Sequence, residues 1–491
     1  MRIAITIVSL FIVSALQAQL FYNGGAQITL TNGAVMIVKT GDLLNDNGVI
    51  DNAGAITVEG SITNNDTLTG GNTAGGMFIL DGDWINNAFF KADQSLVNLR
   101  GGNQLISGAV VSNFYDLTGS GSGIKQLDNL NAFVGNQLDI TDVEFATVFD
   151  TLFITNPATN AILRSDGFVS SLGDGRLSRA TNSIGVYLFP VGSSAGIGRY
   201  RPIEITPNTG ATQEFGVRFA NIDPTFEAYD RMMTDDILCM VNPLFYHHID
   251  RIQGSDPADI KMFYSYFSDG EWSRMAHWQG APNRWEEMGT FNPGVKNGFE
   301  TLDIFAWDNF STPAYALAVI DPVIDAGDDE EILIGESVQL DPVYFGPPID
   351  SIIWSPAIGL DCIECEEPTA SPTATTIYTI SIKSNLGCWV TDSLEVEVNS
   401  PGVLFPTGFS PDNDGMNDIF KPFNDNFEEL YYAVYNRWGE LMFESVDPTM
   451  GWDGTHNGKP QAMDNYIFFV EYRFRGQTAK KSETGNVTLL R

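Results

Sequence analysis

The sequence predicts an all-β protein of several domains, and three observations support this. Polar and apolar residues alternate over short runs, such as Glu214–Phe219 and Phe468–Phe474, with the period of a strand that buries one face. Clusters of Gly, Asn, Asp and Pro separate these runs and predict turns. Windows with helical periodicity are rare, whereas Gly (48) and Phe (32) are abundant. With 491 residues the chain has room for about three or four domains.

Residues 1–18 are typical of a secretory signal peptide. Arg2 supplies a positive charge, Ile3–Val13 is apolar, and Ser14–Ala18 provides small residues. We expect cleavage near Ala18. The apolar run is too short to span a membrane, and no later stretch approaches the roughly 20 apolar residues of a spanning helix. No Cys follows the run, which argues against a lipid anchor.

The charge of the chain limits its partners. It has 62 acidic and 26 basic residues, a net charge of −36 at pH 7 and a pI near 4.2. Such a chain repels phosphate groups, which argues against nucleic acid as a ligand. The 43% of hydrophobic residues is that of folded domains, not of a disordered acidic chain.

Residues 19–165 predict a short parallel β-helix, or solenoid. Runs of three or four residues end at Asn or Gly corners, as in Ile50–Asn52, Gly60–Asn64 and Trp84–Asn87. Each coil of a solenoid buries one or two apolar side chains and stacks on the next, and Asn amides can form a ladder along the stack. The spacing is irregular, so an ordinary β-sandwich with many turns is the alternative.

Residues 166–320 predict an aromatic-rich β-sandwich with longer strands, such as Arg199–Ile205 and Lys261–Phe267. Its aromatic residues have two interpretations: an exposed platform for sugars or peptides, or the sandwich core, which we favour. His247 and His248 are adjacent, so on a strand they face opposite sides and do not share one metal. The aromatic residues concerned are Trp272, Trp278, Trp285, Phe291, Phe305 and Trp307.

Residues 321–400 predict a small immunoglobulin-type sandwich around Trp354. The segment resembles the PKD-like and Ig-like spacer modules of bacterial surface proteins. The matching stretches are Asp325–Gly327, Gly335–Val338, Trp354–Ala357, Gly359–Cys365, Ala370–Tyr378 and Gly387–Cys388.

Three of the four cysteines lie in this module. Cys362 and Cys365 could be half of a zinc site or a redox pair, but zinc needs four ligands and a redox pair needs a strand-to-helix turn. In an exported protein we expect a structural disulfide between them. For Cys239 and Cys388 we expect unpaired thiols, although the sequence does not fix the connectivity.

Residues 401–491 contain five ordered motifs and predict a small β-sandwich. The motifs are Phe405–Phe420 (FPTGFSPDNDGMNDIF), Tyr435–Gly439 (YNRWG), Gly451–Gly454 (GWDG), Asn457–Pro460 (NGKP) and Gly485–Arg491 (GNVTLLR). With these motifs the segment resembles the gliding motility-associated C-terminal domain, the type B sorting signal of the type IX secretion system. This resemblance implies export across the outer membrane, contact with the outer-membrane secretion machinery, and a secreted or cell-surface location.

Asp412, Asp414 and Asp418 are the candidate metal ligands of the chain. Their spacing resembles part of a Ca²⁺ loop, but the first and twelfth positions of that loop hold Ser410 and Lys421, not an acid and a bidentate Glu. A turn held by Asx hydrogen bonds is the alternative that we favour. We therefore expect no cofactor, with Ca²⁺ at this turn as the exception to test.

The sequence favours a non-enzymatic adhesion or surface protein with a glycan or a surface protein as its ligand. The alternative is a secreted glycan-degrading enzyme carried on the β-helix or on the aromatic sandwich. Acidic pairs such as Asp81/Asp83 and Asp328/Asp329 occur, but neither has an assignable general acid, so we assign no catalytic residue. An enzyme would have a deep pocket with convergent carboxylates, whereas an adhesin would have shallow faces.

Overall fold

A computed structural model describes residues 20–71, 75–289, 291–399, 402–475, 477 and 479–491. The predicted signal peptide, residues 1–18, lies outside the described residues. The chain divides into two compact units, one ending at Ile320 and one from Asp321 to Arg491. Apart from a 3-10 turn at Pro224–Glu227 and one short helix, α1 (Tyr266–Asp269), the regular structure of the described residues is strand. The all-β prediction is confirmed.

The first unit begins with a solenoid of short strands. These strands are β1 Phe21–Asn23, β2 Gln27–Leu30, β3 Val35–Val38, β4 Leu43–Asn45, β5 Val49–Asn52, β6 Ala55–Val58, β7 Ile62–Asn64, β8 Thr67–Thr69, β9 Met77–Leu80, β10 Trp84–Asn86, β11 Phe89–Lys91, β12 Leu96–Leu99, β13 Gln104–Ser107, β14 Ser112–Gly119, β15 Ile124–Leu127, β16 Ala132–Asp139, β17 Glu144–Ala146, β18 Thr151–Ile154, β19 Ile162–Leu163 and β20 Phe168–Ser170.

These strands stack in parallel as three sheets. One sheet has the order β1-β4-β7-β10-β13-β15-β17-β20, the second β11-β8-β5-β2, and the third starts β3-β6-β9-β12-β14-β16-β18. Along the first sheet Phe21 pairs with Leu43, Leu43 with Ile62, and Ile62 with Trp84, which are steps of 22, 19 and 22 residues. The unequal coils explain why the sequence shows no strict period. The solenoid prediction is confirmed for this segment.

A ladder of buried asparagines runs along the solenoid. The Nδ2 groups of Asn23, Asn45 and Asn64 donate to the Oδ1 atoms of Asn45, Asn64 and Asn86 over 2.8, 3.0 and 3.0 Å. The second Nδ2 hydrogen of Asn64 is donated to the carbonyl oxygen of Phe89 at 3.0 Å. The buried amides are thereby satisfied, which avoids the free-energy cost of an unpaired polar group.

The third solenoid sheet continues without a break into a β-sandwich. β21 pairs in parallel with β18 and antiparallel with β26, and the sheet then runs β26-β28-β34-β30-β31. A second sheet has the order β22-β25-β29-β33-β32. The strands are β21 Arg176–Thr181, β22 Tyr187–Phe189, β23 Gly192–Ser193, β24 Arg199–Tyr200, β25 Ile203–Pro207, β26 Gln213–Ala220, β27 Leu238–Val241, β28 Tyr246–Gln253, β29 Ala258–Tyr264, β30 Arg274–Gln279, β31 Arg284–Glu287, β32 Phe291–Lys296, β33 Phe299–Trp307 and β34 Ala314–Ile320.

Three of the four tryptophans of the sandwich belong to its interior, and Trp307 is half-buried. Trp272, Trp278 and Trp285 are buried, and Trp285 packs edge-on against Trp278. His247 and His248 lie on opposite sides of β28: His247 bonds the Arg201 carbonyl oxygen, whereas the His248 ring lies beside Tyr246. These three tryptophans therefore contribute to packing, not to an exposed platform.

The second unit contains two sandwiches with separate apolar cores. The first packs around Trp354 and Tyr378, and the Tyr378 hydroxyl donates to the Ile358 carbonyl oxygen at 2.7 Å. Its strands are β35 Val323–Asp325, β36 Glu330–Leu333, β37 Val338–Gln339, β38 Val343–Phe345, β39 Ile349–Ser355, β40 Thr369–Ala370, β41 Thr376–Ser384 and β42 Trp389–Asn399. The main sheet has the order β36-β42-β41-β39.

The C-terminal sandwich is built on a five-stranded sheet, β43-β49-β48-β44-β45. Its core holds aromatic motif residues such as Phe409, Phe420 and Trp452. The strands are β43 Gly408–Phe409, β44 Phe427–Tyr435, β45 Leu441–Ser445, β46 Thr455–His456, β47 Lys459–Pro460, β48 Asn465–Phe474 and β49 Lys481–Leu489. The β-sandwich that the sequence predicts for the last stretch of the chain is therefore confirmed.

Candidate functional site

Two adjoining grooves lie on the outer face of the sandwich sheet β22-β25-β29-β33-β32. They have volumes of about 460 and 250 Å³, and Glu204 lines both. The other residues of the first groove include Arg164, Asp166, Tyr200, Asn297 and Phe299. The second groove includes Val186, Lys261, Lys296, Asp303 and Phe305.

Strand alternation places the charged residues of the grooves. In β25 the side chains of Ile203 and Ile205 are fully buried in the core, so Glu204 between them points to the opposite face. Glu204 pairs across the sheet with Lys261, which pairs with Asp303. A row of alternating charge therefore crosses the floor, and the Lys261 Nζ atom lies 2.8 Å from Asp303 Oδ2.

The β32–β33 hairpin forms one wall. Its two-residue turn, Asn297-Gly298, has positive φ at both positions (53° and 81°), which is the backbone that an Asn-Gly hairpin turn favours. Beside the turn, the Lys296 Nζ atom contacts Glu204 Oε1 and Oε2 at 2.5 and 2.8 Å. This ion pair ties the hairpin to the floor where the two grooves meet.

Aromatic rings line the first groove. The ring centroids of Tyr200 and Phe299 are 6.1 Å apart, and those of Phe263 and Phe299 are 6.4 Å apart. The Arg164 guanidinium carbon lies 4.2 Å from the Tyr200 ring centroid. Burial raises the pKa of Tyr200 to about 12, so its hydroxyl is neutral at physiological pH.

The grooves combine aromatic faces with paired donors and acceptors. Lys296 engages both carboxylate oxygens of Glu204, and Lys261 engages Asp303. Such pairs can share hydrogen bonds with hydroxyl groups of a ligand while aromatic rings pack on its apolar faces. This chemistry suits a polyhydroxylated chain.

Sequence reasoning did not single out most of these groove residues. Of the six aromatic residues it considered, Phe305 lines the second groove and is 52% exposed. Two signals were available: the acidic residue inside the apolar strand Ile203–Ile205, and the Asn297-Gly298 turn between two alternating runs. Neither signal alone shows that the hairpin and the sheet face form one groove.

The three candidate Ca²⁺ ligands lie together in an exposed turn. One oxygen from each of Asp412, Asp414 and Asp418 falls within 4.8 Å of the others. The Asp418 carboxylate accepts the backbone N–H groups of Asn413 and Gly415 at 2.7 and 2.9 Å. The oxygens therefore already serve as Asx-type turn acceptors.

The cysteines are all oxidised in the described part of the chain. Cys362 and Cys365 form a disulfide with their Cα atoms 6.1 Å apart, and the Cys365 carbonyl oxygen accepts a bond from Trp354 Nε1. No free thiol is present at Cys239 or Cys388, both of which are disulfide-bonded. The expectation of two unpaired thiols is wrong, because the sequence distance between cysteines gives no measure of their distance in the fold.

Comparison with known proteins identifies the C-terminal sandwich. Residues 403–489 match the CHU_C type IX secretion signal domain, which confirms the family resemblance of the sequence motifs. The match indicates export through the type IX system, a secreted or cell-surface protein, and interaction with the secretion machinery. No curated protein matches the chain significantly. Within the described residues, the short helices fall far below the length and hydrophobicity of a membrane-spanning helix.

Solved structures give only distant similarity. The D00-D0 domain of intimin shares 10% identity over 35% of this chain and 100% of its own, with a TM-score of 0.17. The CbhA fibronectin(III)-like modules of Clostridium thermocellum share 11% identity over 34% of this chain and 93% of their own, with a TM-score of 0.13. Dimeric latent PorU from Porphyromonas gingivalis shares 7% identity over 59% of this chain and 31% of its own, with a TM-score of 0.14. Scores of this size support no conclusion about relationship or function.

Proposed function

We propose that this exported protein is a non-enzymatic adhesin that binds a neutral polysaccharide in the two grooves of its sandwich. The observation that carries the proposal is the pairing of charges beside aromatic rings: Lys296 with Glu204, and Lys261 with Asp303. Sugar hydroxyls both donate and accept hydrogen bonds, so a floor with both kinds of partner suits them. The aromatic side chains supply packing surface for the apolar faces of sugar rings.

The charge balance favours a neutral glycan over an anionic one. The linings of the two grooves contain three basic residues and four acidic ones: Arg164, Lys261 and Lys296 against Asp166, Glu204, Asp259 and Asp303. No excess of positive charge is available to attract uronate or sulfate groups, and the whole chain has a net charge of −36. Because the two grooves meet at Glu204, the site suits an extended chain of several sugar units.

The hydrogen bonds and the exposure of the carboxylates support a binding role and not hydrolysis. Glycoside hydrolysis needs two carboxyl groups with distinct acid and base or nucleophile roles. Glu204 is engaged by Lys296 through both oxygens, and Asp166 lies exposed at the groove. Asp81 is held by two 2.8 Å bonds from Arg100, and Asp83 accepts the Leu105 N–H.

The proposal includes no cofactor. The turn at Asp412, Asp414 and Asp418 lies outside the grooves, and its hydrogen bonds account for the acidic residues as turn formers. We therefore assign this cluster a structural role in the sorting domain.

Affinity electrophoresis of the whole exported chain tests the proposal. Gels would contain starch, xylan, laminarin or hydroxyethylcellulose as neutral polymers, or polygalacturonate as an anionic one. We expect retardation by at least one neutral polymer and none by polygalacturonate. Phe305→Ala should weaken binding by about tenfold. The loss of an aromatic contact costs on the order of 1 kcal/mol of binding free energy, in addition to the loss of buried apolar area.

A matched variant controls for nonspecific effects of removing an exposed aromatic ring. Phe226 is 78% exposed and lies outside both grooves, so Phe226→Ala should bind as the unaltered chain does. Equal weakening by both substitutions, or no retardation by any neutral polymer, contradicts the proposal. Release of reducing ends from the bound polymer would favour the glycan-degrading alternative.

A further inference from the structure

The sorting domain holds one tryptophan in its core and displays another to solvent. Trp452 is 1% exposed, whereas Trp438 is 85% exposed at the tip of the β44–β45 hairpin. A tryptophan side chain is usually largely buried because its apolar surface is large. Trp438 contributes little to packing, so the fold alone does not account for its position.

Hydrogen bonds of the Asn436 side chain hold the turn that displays Trp438. The Asn436 side-chain oxygen accepts the backbone N–H groups of Trp438 and Glu440, each at 3.0 Å. The Asn436 Nδ2 group donates to Glu440 Oε2 at 3.0 Å, and Gly439 has a φ of 81°. The Trp438 ring is therefore presented in an ordered backbone, which lowers the conformational-entropy cost of inserting it into a partner.

The hairpin tip lies at the end of the sheet opposite to Val403, where the chain enters the domain. At this end β44 finishes, β48 starts and β49 finishes, as shown by the pairing of Tyr435 with Ile467 and of Asn465 with Thr488. Val403 packs at the other end, in the cluster with Phe427. The tip is thus the distal end of the domain.

Neighbouring segments at this distal end also expose apolar side chains. Arg437 forms an ion pair with Asp464, which joins the hairpin to the loop before β48. In that loop Met463 is 63% exposed, and beyond β49 Leu490 is 51% exposed. Three chain segments therefore place large apolar side chains at the same end as the Trp438 turn, a feature typical of protein-binding surfaces.

We propose that Trp438 is the anchor residue by which the sorting domain docks into an apolar pocket on a protein subunit of the export machinery. The proposal rests on the export function that the domain match indicates. Exposed tryptophans are frequent anchors at protein interfaces, surrounded by weaker contacts that exclude water. Met463 and Leu490 supply such surrounding contacts.

A protein pocket fits the charge of the domain better than a lipid surface does. Residues 403–491 contain 13 acidic and 8 basic residues, so the domain is negatively charged. An anionic membrane surface repels such a domain and attracts polybasic segments instead. Membrane binding is nevertheless included in the test as an outcome.

The test measures export of the whole chain in a host bacterium with a type IX secretion system. Trp438→Ala should lower the exported fraction by about tenfold or more, because loss of an anchor tryptophan typically weakens binding by about 30-fold. The chain should accumulate in the periplasm. Phe423→Ala is the matched control, since Phe423 is 69% exposed. The backbone N–H of Phe423 donates to the carbonyl oxygen of Leu404, at the end where the chain enters the domain. This control should be exported normally.

Further measurements distinguish loss of the anchor from misfolding and from membrane binding as the cause of lowered export. Trp438→Ala should unfold at the same temperature as the unaltered chain, and Trp438→Phe should restore part of the export. Normal export of Trp438→Ala overturns the anchor proposal, and so does Trp438-dependent cosedimentation with phosphatidylethanolamine–phosphatidylglycerol vesicles. Export of a chain lacking residues 402–491 would instead overturn the export function itself.

Discussion

Two histidines of β28, His247 and His248, lead us to expect that the first unit loses stability in acid. Burial lowers the pKa of His247 to about 4 and, together with the Arg218 guanidinium, that of His248 to about 3. Above pH 6.5, the ordinary pKa of histidine, both rings are neutral in the folded and unfolded chain, so their contribution to stability is fully present. As the pH falls from 6.5 towards 4, the unfolded chain takes up protons that the folded chain does not, and stability is lost.

We therefore expect the unfolding temperature of the first unit to fall between pH 6.5 and 4.5. Each histidine contributes up to about 1.4 kcal/mol of destabilisation per pH unit in this window. Scanning calorimetry of the whole chain measures the effect. His247→Gln retains a donor for the Arg201 carbonyl and should flatten the pH dependence, whereas His456→Gln, in the sorting domain, should not. An unchanged slope in His247→Gln contradicts this assignment.

At the scale of elements, the asparagine ladder links neighbouring coils of the solenoid. Asn64 accepts from Asn45 and donates to Asn86. Asn64→Ala therefore removes the partner of one Asn45 Nδ2 hydrogen and of the buried Asn86 Oδ1 atom, whereas Asn45 Nδ2 keeps its bond to the Thr67 carbonyl oxygen. We expect a loss of about 2–3 kcal/mol of unfolding free energy, the usual cost of such groups. Asn65→Ala is the control because the Asn65 side chain is exposed and its Oδ1 atom accepts from the exposed Asn87 Nδ2 group.

Denaturant unfolding, monitored by hydrogen exchange of the solenoid strands, distinguishes the two variants. Exchange in β4, β7 and β10 should accelerate in Asn64→Ala and remain nearly unchanged in Asn65→Ala. Equal protection in both variants would mean that the ladder contributes no net stability and that apolar stacking alone holds the coils together.

The elements themselves follow from local sequence, but the groove does not. Short apolar steps before Asn predict the coils. The alternation in Lys261–Phe267 predicts a strand, but β29 ends at Tyr264 and the short helix α1 begins at Tyr266. The ion pair of Lys296 with Glu204 joins residues far apart in sequence, and it depends on the order in which β25, β29, β33 and β32 assemble in the sheet. The disulfide-bonded state of Cys239 and Cys388 was not predicted either, because the residues around each cysteine carry no local signal for a disulfide.

At the scale of the whole molecule, the proposed binding grooves and the secretion signal lie in different parts of the chain. The grooves are formed by residues between 164 and 305, within the first compact unit. The secretion signal occupies residues 403–489 in the second unit, with core clusters that share no residue with the sandwich at 326–398. Five ordered motifs indicate the secretion signal in the sequence, whereas the residues of the proposed grooves form no comparable motif.

This division predicts that the two functions can be separated by truncation. A chain lacking residues 402–491 should remain in the periplasm because the secretion signal is absent. The retained chain should still be folded and should bind the same neutral polysaccharide with unchanged affinity, because every groove residue is present. Cell fractionation and affinity electrophoresis of the periplasmic protein measure both properties on one sample. If the truncated chain loses both export and polysaccharide binding, the C-terminal sandwich contributes to the ligand site. The proposed separation of the two roles would then be wrong.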